Sequence, residues 1–284
     1  MGHSPIPVEE RWFVLDGHRM RYLCAGSGPP LLLLHGLLGY SFSWRFALPL
    51  LAERATVYAV DMPGVGFSDR PPNAGGSLRA NAERLLRFMD GVGIGSCDLL
   101  GTSHGGAVAM MAAALAPERV RRLILVAPVN PWSAHGRRLA PFLSSAPVSW
   151  LLLRLEPCLG IVHDTLLRRL YGDPRRISPG TLAGYSEPFR IPGTLNYGLG
   201  VVRSWNRDLE ELESLLPRIA DIPTLLIWGS KDSAVSPASA EELRQHFSDC
   251  RLEIFDGVGH LPYEEVPDMF NSSVVAFLAG SGSV

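Results

Sequence analysis

Long hydrophobic runs are scarce in this chain of 284 residues. One, Leu31 to Leu34 continued to Leu38, is interrupted by His35 and falls well short of the roughly 20 apolar residues that span a bilayer. The N-terminal MGHSPIPVEERW has no apolar core of a secretory signal, and Ile6 stands where a myristoylation pattern needs Ser or Thr. A soluble, cytoplasmic protein with no membrane partner is expected. Charge of one sign is also missing: 26 Lys and Arg against 28 Asp and Glu leave a net charge of -2. No overall positive field draws the chain to nucleic acid, so a small uncharged or weakly charged partner is expected. Cysteine is sparse, and Cys24, Cys97, Cys158 and Cys250 show no CxxC spacing, which argues against a zinc knot and a disulfide framework. Reduced, mostly buried thiols are expected. No internal repeat or low-complexity tract is visible, and the terminal AGSGSV reads as a frayed tail.

What is present is a composition that folds: 46% hydrophobic and 19% charged residues suffice for a full core. Short apolar stretches at Trp12–Leu15, Met20–Cys24, Leu31–Leu34, Thr56–Val60, Cys97–Leu100, Leu123–Val126, Thr224–Trp228 and Leu252–Phe255 predict strands. Most of the later ones are continuous rather than alternating, the mark of strands covered on both faces of a mostly parallel sheet. Asp16-Gly17 between the first two predicts an antiparallel hairpin. Helical patterns fall at Ser43–Arg54, Ser77–Gly91, His104–Ala116, Pro237–Phe247 and Pro262–Leu278. The alternation stops between Val129 and about Pro223, a stretch rich in Pro, Arg and Leu and too long for a structureless loop. We read an α/β fold in three parts: core at 1–129, a helical cap insertion at 130–222, and core again at 223–284.

The chemistry concentrates at Gly101-Thr102-Ser103-His104-Gly105, a G-x-S-x-G motif with a strand before it and a helix after it. A strand that becomes a helix over one residue strains the serine backbone, and side chains two positions before and after would collide. Gly106 is expected to let the helix pack close to the sheet. A serine hydroxyl is a weak nucleophile at neutral pH, so a base must take its proton and a carboxylate must hold the base. Among the histidines, His260 follows the last strand and shares the carboxyl edge of the sheet with Ser103. His18 lies in the hairpin, His3 in the N-terminal segment, His135 and His163 in the insertion and His246 on a helix face. Asp232, just past the seventh strand, is favoured as the carboxylate over Asp256 and Glu264. A tetrahedral intermediate needs donors aimed at its oxyanion. The N–H of His104 and that of Leu37, on the loop opened by His35-Gly36, are assigned that role, with His35 bracing the loop.

HGLLG, DMPGVGFSDRP at Asp61 to Pro71, GTSHGG, WGSKD and VGHLPYEEVP together resemble the alpha/beta-hydrolase-fold enzymes with a helical cap. That branch includes esterases, carbon–carbon bond hydrolases, epoxide hydrolases and haloalkane dehalogenases. The resemblance implies an eight-stranded sheet and places the insertion over Ser103 as the wall of the pocket. It also implies that Asp61 and Asp69 shape the loop after the fourth strand. Epoxide hydrolases and haloalkane dehalogenases of the family typically carry an aspartate where this chain has Ser103. The carbon–carbon bond hydrolases use serine but usually a more glycine-rich loop than HGLLGYS. The insertion arginines, among them Arg137, Arg138, Arg168, Arg169, Arg175 and Arg176, read as a solvated face rather than as a recognition site for an acidic substrate.

These residues predict a serine hydrolase of small carboxylic esters, with a Ser103–His260–Asp232 triad and neither metal nor organic cofactor. Two alternatives share the fold: a carbon–carbon bond hydrolase or perhydrolase using the same triad, and a ligand receptor. Acyl specificity and oligomeric state are not encoded in any motif.

Overall fold

The computed structural model describes residues 6–72, 74–133, 136–137, 139–155 and 160–280. His3, His135, Arg138, Cys158 and the tail from Ser281 lie outside the described residues.

Eight strands form one sheet in the order β1-β2-β4-β3-β5-β6-β7-β8. They are β1 (Glu9–Leu15), β2 (His18–Ala25), β3 (Pro30–Leu34), β4 (Thr56–Val60), β5 (Cys97–Thr102), β6 (Val120–Val126), β7 (Thr224–Gly229) and β8 (Cys250–Phe255). The pairs β1–β2 and β2–β4 are antiparallel, and the remaining neighbours run parallel. Asp16 and Gly17 both take positive φ, 51° and 78°, as the tight hairpin between right-twisted strands requires.

Continuous leucine runs make sense in this sheet because both faces are covered. Leu32, Leu34 and Leu99 pack into one core with Met110 and Met111, while Leu31, Leu33 and Leu100 pack into another with Trp44 and Phe270. The helices are α1 (Leu48–Leu51), α2 (Leu78–Gly91), α3 (His104–Leu115), α4 (Ala140–Leu143), α5 (Ala146–Leu155), α6 (Gly160–Arg169), α7 (Thr181–Ser186), α8 (Thr194–Leu215), α9 (Ala238–Arg244), α10 (Pro262–Glu265) and α11 (Pro267–Leu278). Between β6 and β7 the described residues hold helices and no strand. None of the described helices is long and apolar enough to cross a membrane. Cys24 and Cys97 are buried free thiols, and Cys250 is half-buried and free.

Two expected helices differ. The stretch Ser43–Arg54 forms a 3₁₀ turn at Ser41–Trp44 and then the short α1. Pro49 has no N–H to donate and fits only the first turn of a helix, so helix starts beside it instead of running through it. Pro262–Leu278 breaks at Val266, which sits at φ -138°, ψ 58°, because the residue before Pro267 is pushed out of the α region.

The chain lays β4 on one side of β3 and β5 on the other. The loops that leave the carboxyl ends of β3 and β5 therefore diverge around a crevice, the place where open parallel sheets bind ligands.

Candidate active site

Ser103 sits between β5 and α3 with φ 53° and ψ -122°, a left-handed backbone that a side-chain-bearing residue adopts only under constraint. The constraint is visible in its hydrogen bonds. Its N–H donates to the Val126 carbonyl at 2.9 Å, and its own carbonyl accepts from Gly106 at 3.0 Å, Ala107 at 3.2 Å and Val129 at 3.0 Å. The glycines are needed because the turn leaves no room. A Cβ on Gly101 would lie 2.4 Å from the Gly105 carbonyl oxygen, and one on Gly105 would lie 2.3 Å from that of His35. Gly105 and Gly106 both let α3 approach the sheet: a Cβ on Gly106 would lie 3.2 Å from the Gly101 carbonyl oxygen of β5 and 2.6 Å from Pro128, in the loop after β6. Its neighbours in β5 and α3 are buried, while Ser103 stays partly open.

At the same edge, the loops after β7 and β8 bring Asp232 and His260 together. His260 Nδ1 lies 2.7 Å from Asp232 Oδ2, and the other oxygen, Oδ1, accepts from the N–H groups of Ala234 at 2.8 Å and Val235 at 2.9 Å. A ring that donates through Nδ1 keeps an unprotonated Nε2, a tautomer assigned here from the network. The competing carboxylates are engaged elsewhere. Asp256 accepts from the Ser230 hydroxyl at 3.1 Å, and Glu264 faces Arg45 at 2.5 Å.

The loop after β3 closes a turn in which the Gly39 N–H donates to the Gly36 carbonyl at 3.0 Å, with Leu38 at φ 59° in the third position. Gly36 lies directly against the nucleophile: a Cβ there would be 3.3 Å from Ser103 Cβ and 3.9 Å from Oγ. Leu37 follows on this turn beside Ser103. His35 accepts from the Met62 N–H through Nε2 at 3.1 Å and donates from Nδ1 to the Gly36 carbonyl at 2.8 Å. It thereby ties the loop after β3 to the loop after β4, and its burial pushes its pKa down. His104 opens α3, where a first-turn N–H has no helical partner. Its ring turns away from Ser103 and stacks at 6.4 Å on Trp205 of α8. Burial first, then the neighbouring His35, pushes its pKa down to about 3, so the ring is neutral and no proton carrier near pH 7.

A family model described as alpha/beta hydrolase fold matches residues 29–267. The chain belongs to the alpha/beta hydrolase fold family. Among relatives of this hydrolase is haloalkane dehalogenase 2 of Mycobacterium bovis, 29% identical over 95% of this chain and 94% of that one. Two solved structures are similar over nearly their whole length. A bacterial membrane phospholipase A has a TM-score of 0.80 and 27% identity, covering 98% of this chain and 87% of that one. The 2-hydroxy-6-oxo-6-phenylhexa-2,4-dienoate hydrolase of Rhodococcus sp. strain RHA1 has a TM-score of 0.79 and 25% identity, covering 96% and 99%.

The hydrolase also uses residues that sequence reasoning missed. Arg45 holds both oxygens of Glu264, at 2.5 and 2.6 Å, and the Tyr185 hydroxyl of α7 donates to the same carboxylate at 2.7 Å. Glu265 accepts from the N–H of Gly259 at 2.7 Å and of Gly172 at 2.9 Å, while the His260 N–H donates to the Leu170 carbonyl at 2.7 Å. The His260 loop is thus sewn to the segment after α6. The only sequence signal was two adjacent acids in a stretch otherwise apolar, VGHLPYEEVP. Asp61 and Asp69 brace loops: Asp61 takes the N–H groups of Ser41 and Phe67 at 2.7 and 3.0 Å, and Asp69 that of Arg19 at 2.8 Å. Of the other histidines, His246 is exposed and stacks on Trp132, and His163 lies against Phe189. Arg175 pairs with Asp173 at 2.7 Å, and Arg168 and Arg169 face solvent.

Proposed function

We propose that this hydrolase cleaves small carboxylic esters through an acyl-enzyme on Ser103, with His260 as general base and acid and Asp232 as its orienting carboxylate. The observation that carries the reading is one edge of the sheet. A strained serine contacts the Gly36 turn, and a histidine held through Nδ1 by Asp232 stands on a loop at that same edge.

In this scheme the Ser103 oxygen attacks the ester carbonyl carbon as its proton passes to His260 Nε2. Charge accumulates on the carbonyl oxygen, where the N–H groups of Leu37 and His104 are placed to receive it. The carbon–oxygen bond to the alcohol breaks, and the imidazolium proton leaves with that oxygen. Water then attacks the acyl carbon, its proton passes to His260, and the acid departs as Ser103 regains the proton. Asp232 holds the ring orientation and stabilises the imidazolium in each half-reaction. The inserted helices wall the pocket, with 130–222 as the extent of this cap.

Dehalogenation, the activity of the mycobacterial relative, is set aside because the resemblance places aspartate at the elbow in such enzymes and this chain has Ser103 there. The solved phospholipase supports ester chemistry. Carbon–carbon cleavage, the activity of the Rhodococcus relative, is the competing use of the same residues.

A panel of p-nitrophenyl esters of increasing acyl length, with one vinylogous diketone included, separates the two. Ester turnover should appear and fall by a factor on the order of 10⁵ to 10⁶ in Ser103→Ala. Full ester turnover by that variant removes the nucleophile assignment. Turnover of the diketone with none of any ester replaces the reading by carbon–carbon cleavage.

A further inference from the structure

We propose that the outward face of α4 and α5 docks onto an anionic lipid surface. The inference is independent of the reaction at Ser103.

On α5 a serine is buried while large apolar side chains face out. Its serine, Ser149, is buried and turns its hydroxyl back onto the Ser145 carbonyl at 2.6 Å. Trp150 and Leu151, beside it, face out at 59% and 49% exposure. Phe142 of α4, a helix that packs on α5, is 62% exposed, and Leu139 just before α4 is 53% exposed. A helix resting on a globular core presents polar residues outward. Here four large apolar side chains do so on two consecutive helices, while the opposite side of the pair rests on α8. Large apolar side chains exposed together on neighbouring helices mark a candidate interaction site.

Charge decides the partner. From Pro131 to Glu156 the sequence holds three arginines, Arg137, Arg138 and Arg154, against one acid, Glu156. The chain as a whole carries -2, so this stretch stands apart from the rest. Arg154 lies 5.2 Å over the Trp150 ring, which sets a cation beside an amphipathic aromatic. Tryptophan, phenylalanine and leucine flanked by arginine are the residues that settle at the boundary between lipid headgroups and acyl chains. A second copy meeting this face about a two-fold axis would bring like charges together, whereas an anionic headgroup layer supplies the opposite sign. At ten residues, α5 lies in the interface and does not cross it. The absence of a membrane partner expected from whole-chain charge and run length is blind to this local asymmetry.

The test is co-sedimentation of the full chain with phosphatidylcholine vesicles, pure or with about one-third phosphatidylglycerol. The wild type should partition onto the anionic vesicles and lose that partition at high salt. The double variant Trp150→Gln/Leu151→Gln should reduce partition about tenfold or more. Arg154→Gln should reduce it about fivefold, the share of one arginine at such a surface. Thermal unfolding identifies any variant that fails to fold, and Arg154→Gln alone then carries the test. The proposal is overturned by absent sedimentation of the wild type, by equal binding to neutral vesicles, or by folded variants that bind like wild type. It is also overturned if the apolar substitutions convert a dimer into a monomer in gel filtration, since a second copy would then be the occupant.

Discussion

Replacing His104 by glutamine separates what its imidazole does from what its backbone does. The ring is buried and its pKa falls from 6.5 to about 3, so below pH 6.5 the unfolded chain binds a proton that the folded chain refuses. A depressed folded value means stability is complete above pH 6.5 and drains away as pH falls toward 3. At pH 4.5 the unfolded histidine lies about two units into its protonated range. At about 1.4 kcal/mol per unit, that is a loss of about 3 kcal/mol relative to pH 7.5. Urea unfolding followed by far-UV circular dichroism at the two pH values measures it. His104→Gln should lose about 3 kcal/mol less than wild type over that interval, and His35, also lowered by burial, is common to both proteins and cancels. Ester turnover at pH 7.5 should stay within about tenfold of wild type, because the backbone N–H remains; removal of an oxyanion donor costs about 10²- to 10³-fold. Equal pH sensitivity in both proteins would refute the burial argument. A thousandfold loss of turnover would place the imidazole itself in the reaction.

Two further outcomes follow from the site. Asp232→Asn should lower kcat by a factor on the order of 10⁴ with the fold intact, whereas Asp256→Asn should turn over like wild type; steady-state kinetics on the best p-nitrophenyl ester decides. Glu264, whose side chain is 1% exposed, is one half of an ion pair. Glu264→Ala strands Arg45 and should lower stability by about 3 to 5 kcal/mol in chemical unfolding, while Arg45→Met/Glu264→Leu should recover most of it.

β3, β5, β6 and β7 were legible in the sequence because burial on both faces writes continuous apolar runs, whereas β1 and β2 were marked by the Asp16-Gly17 turn between them. The elbow was legible for a different reason: Gly101 and Gly105 crowd each other across the turn itself, a demand readable from their spacing, although Gly105 also meets the His35 carbonyl just past β3. Asp232 was favoured over Asp256, at the very end of its strand, and over Glu264, which opens the last expected helix, because it lies on a loop past the carboxyl end of β7. Less was legible where tertiary contacts decide. Pro49 and Pro267 cut helices whose periodicity ran on past them. The roles of Glu264 and Glu265 depend on Arg45 and Gly172, far away in sequence, so adjacency revealed nothing of the partners. Gly106 does lie against the sheet as expected, but its tightest neighbour, Pro128, was not legible, because the course of the loop after β6 leaves no local trace.

The crossing of Gly172 and Gly259 limits how the molecule can be remodelled. A Cβ on Gly259 would lie 2.4 Å from the Gly172 nitrogen, and one on Gly172 would lie 2.7 Å from that of Gly259. Two chain segments touch there through bare backbone, one following α6 and the other leading into His260. Transplanting a foreign set of helices between β6 and β7 therefore has one fixed seam. A graft that keeps a glycine in register at 172 can vary everything upstream, including the face of α4 and α5. One that shifts the register by a single residue drives a side chain into the loop that carries the imidazole, and substrate range and catalytic competence would change together.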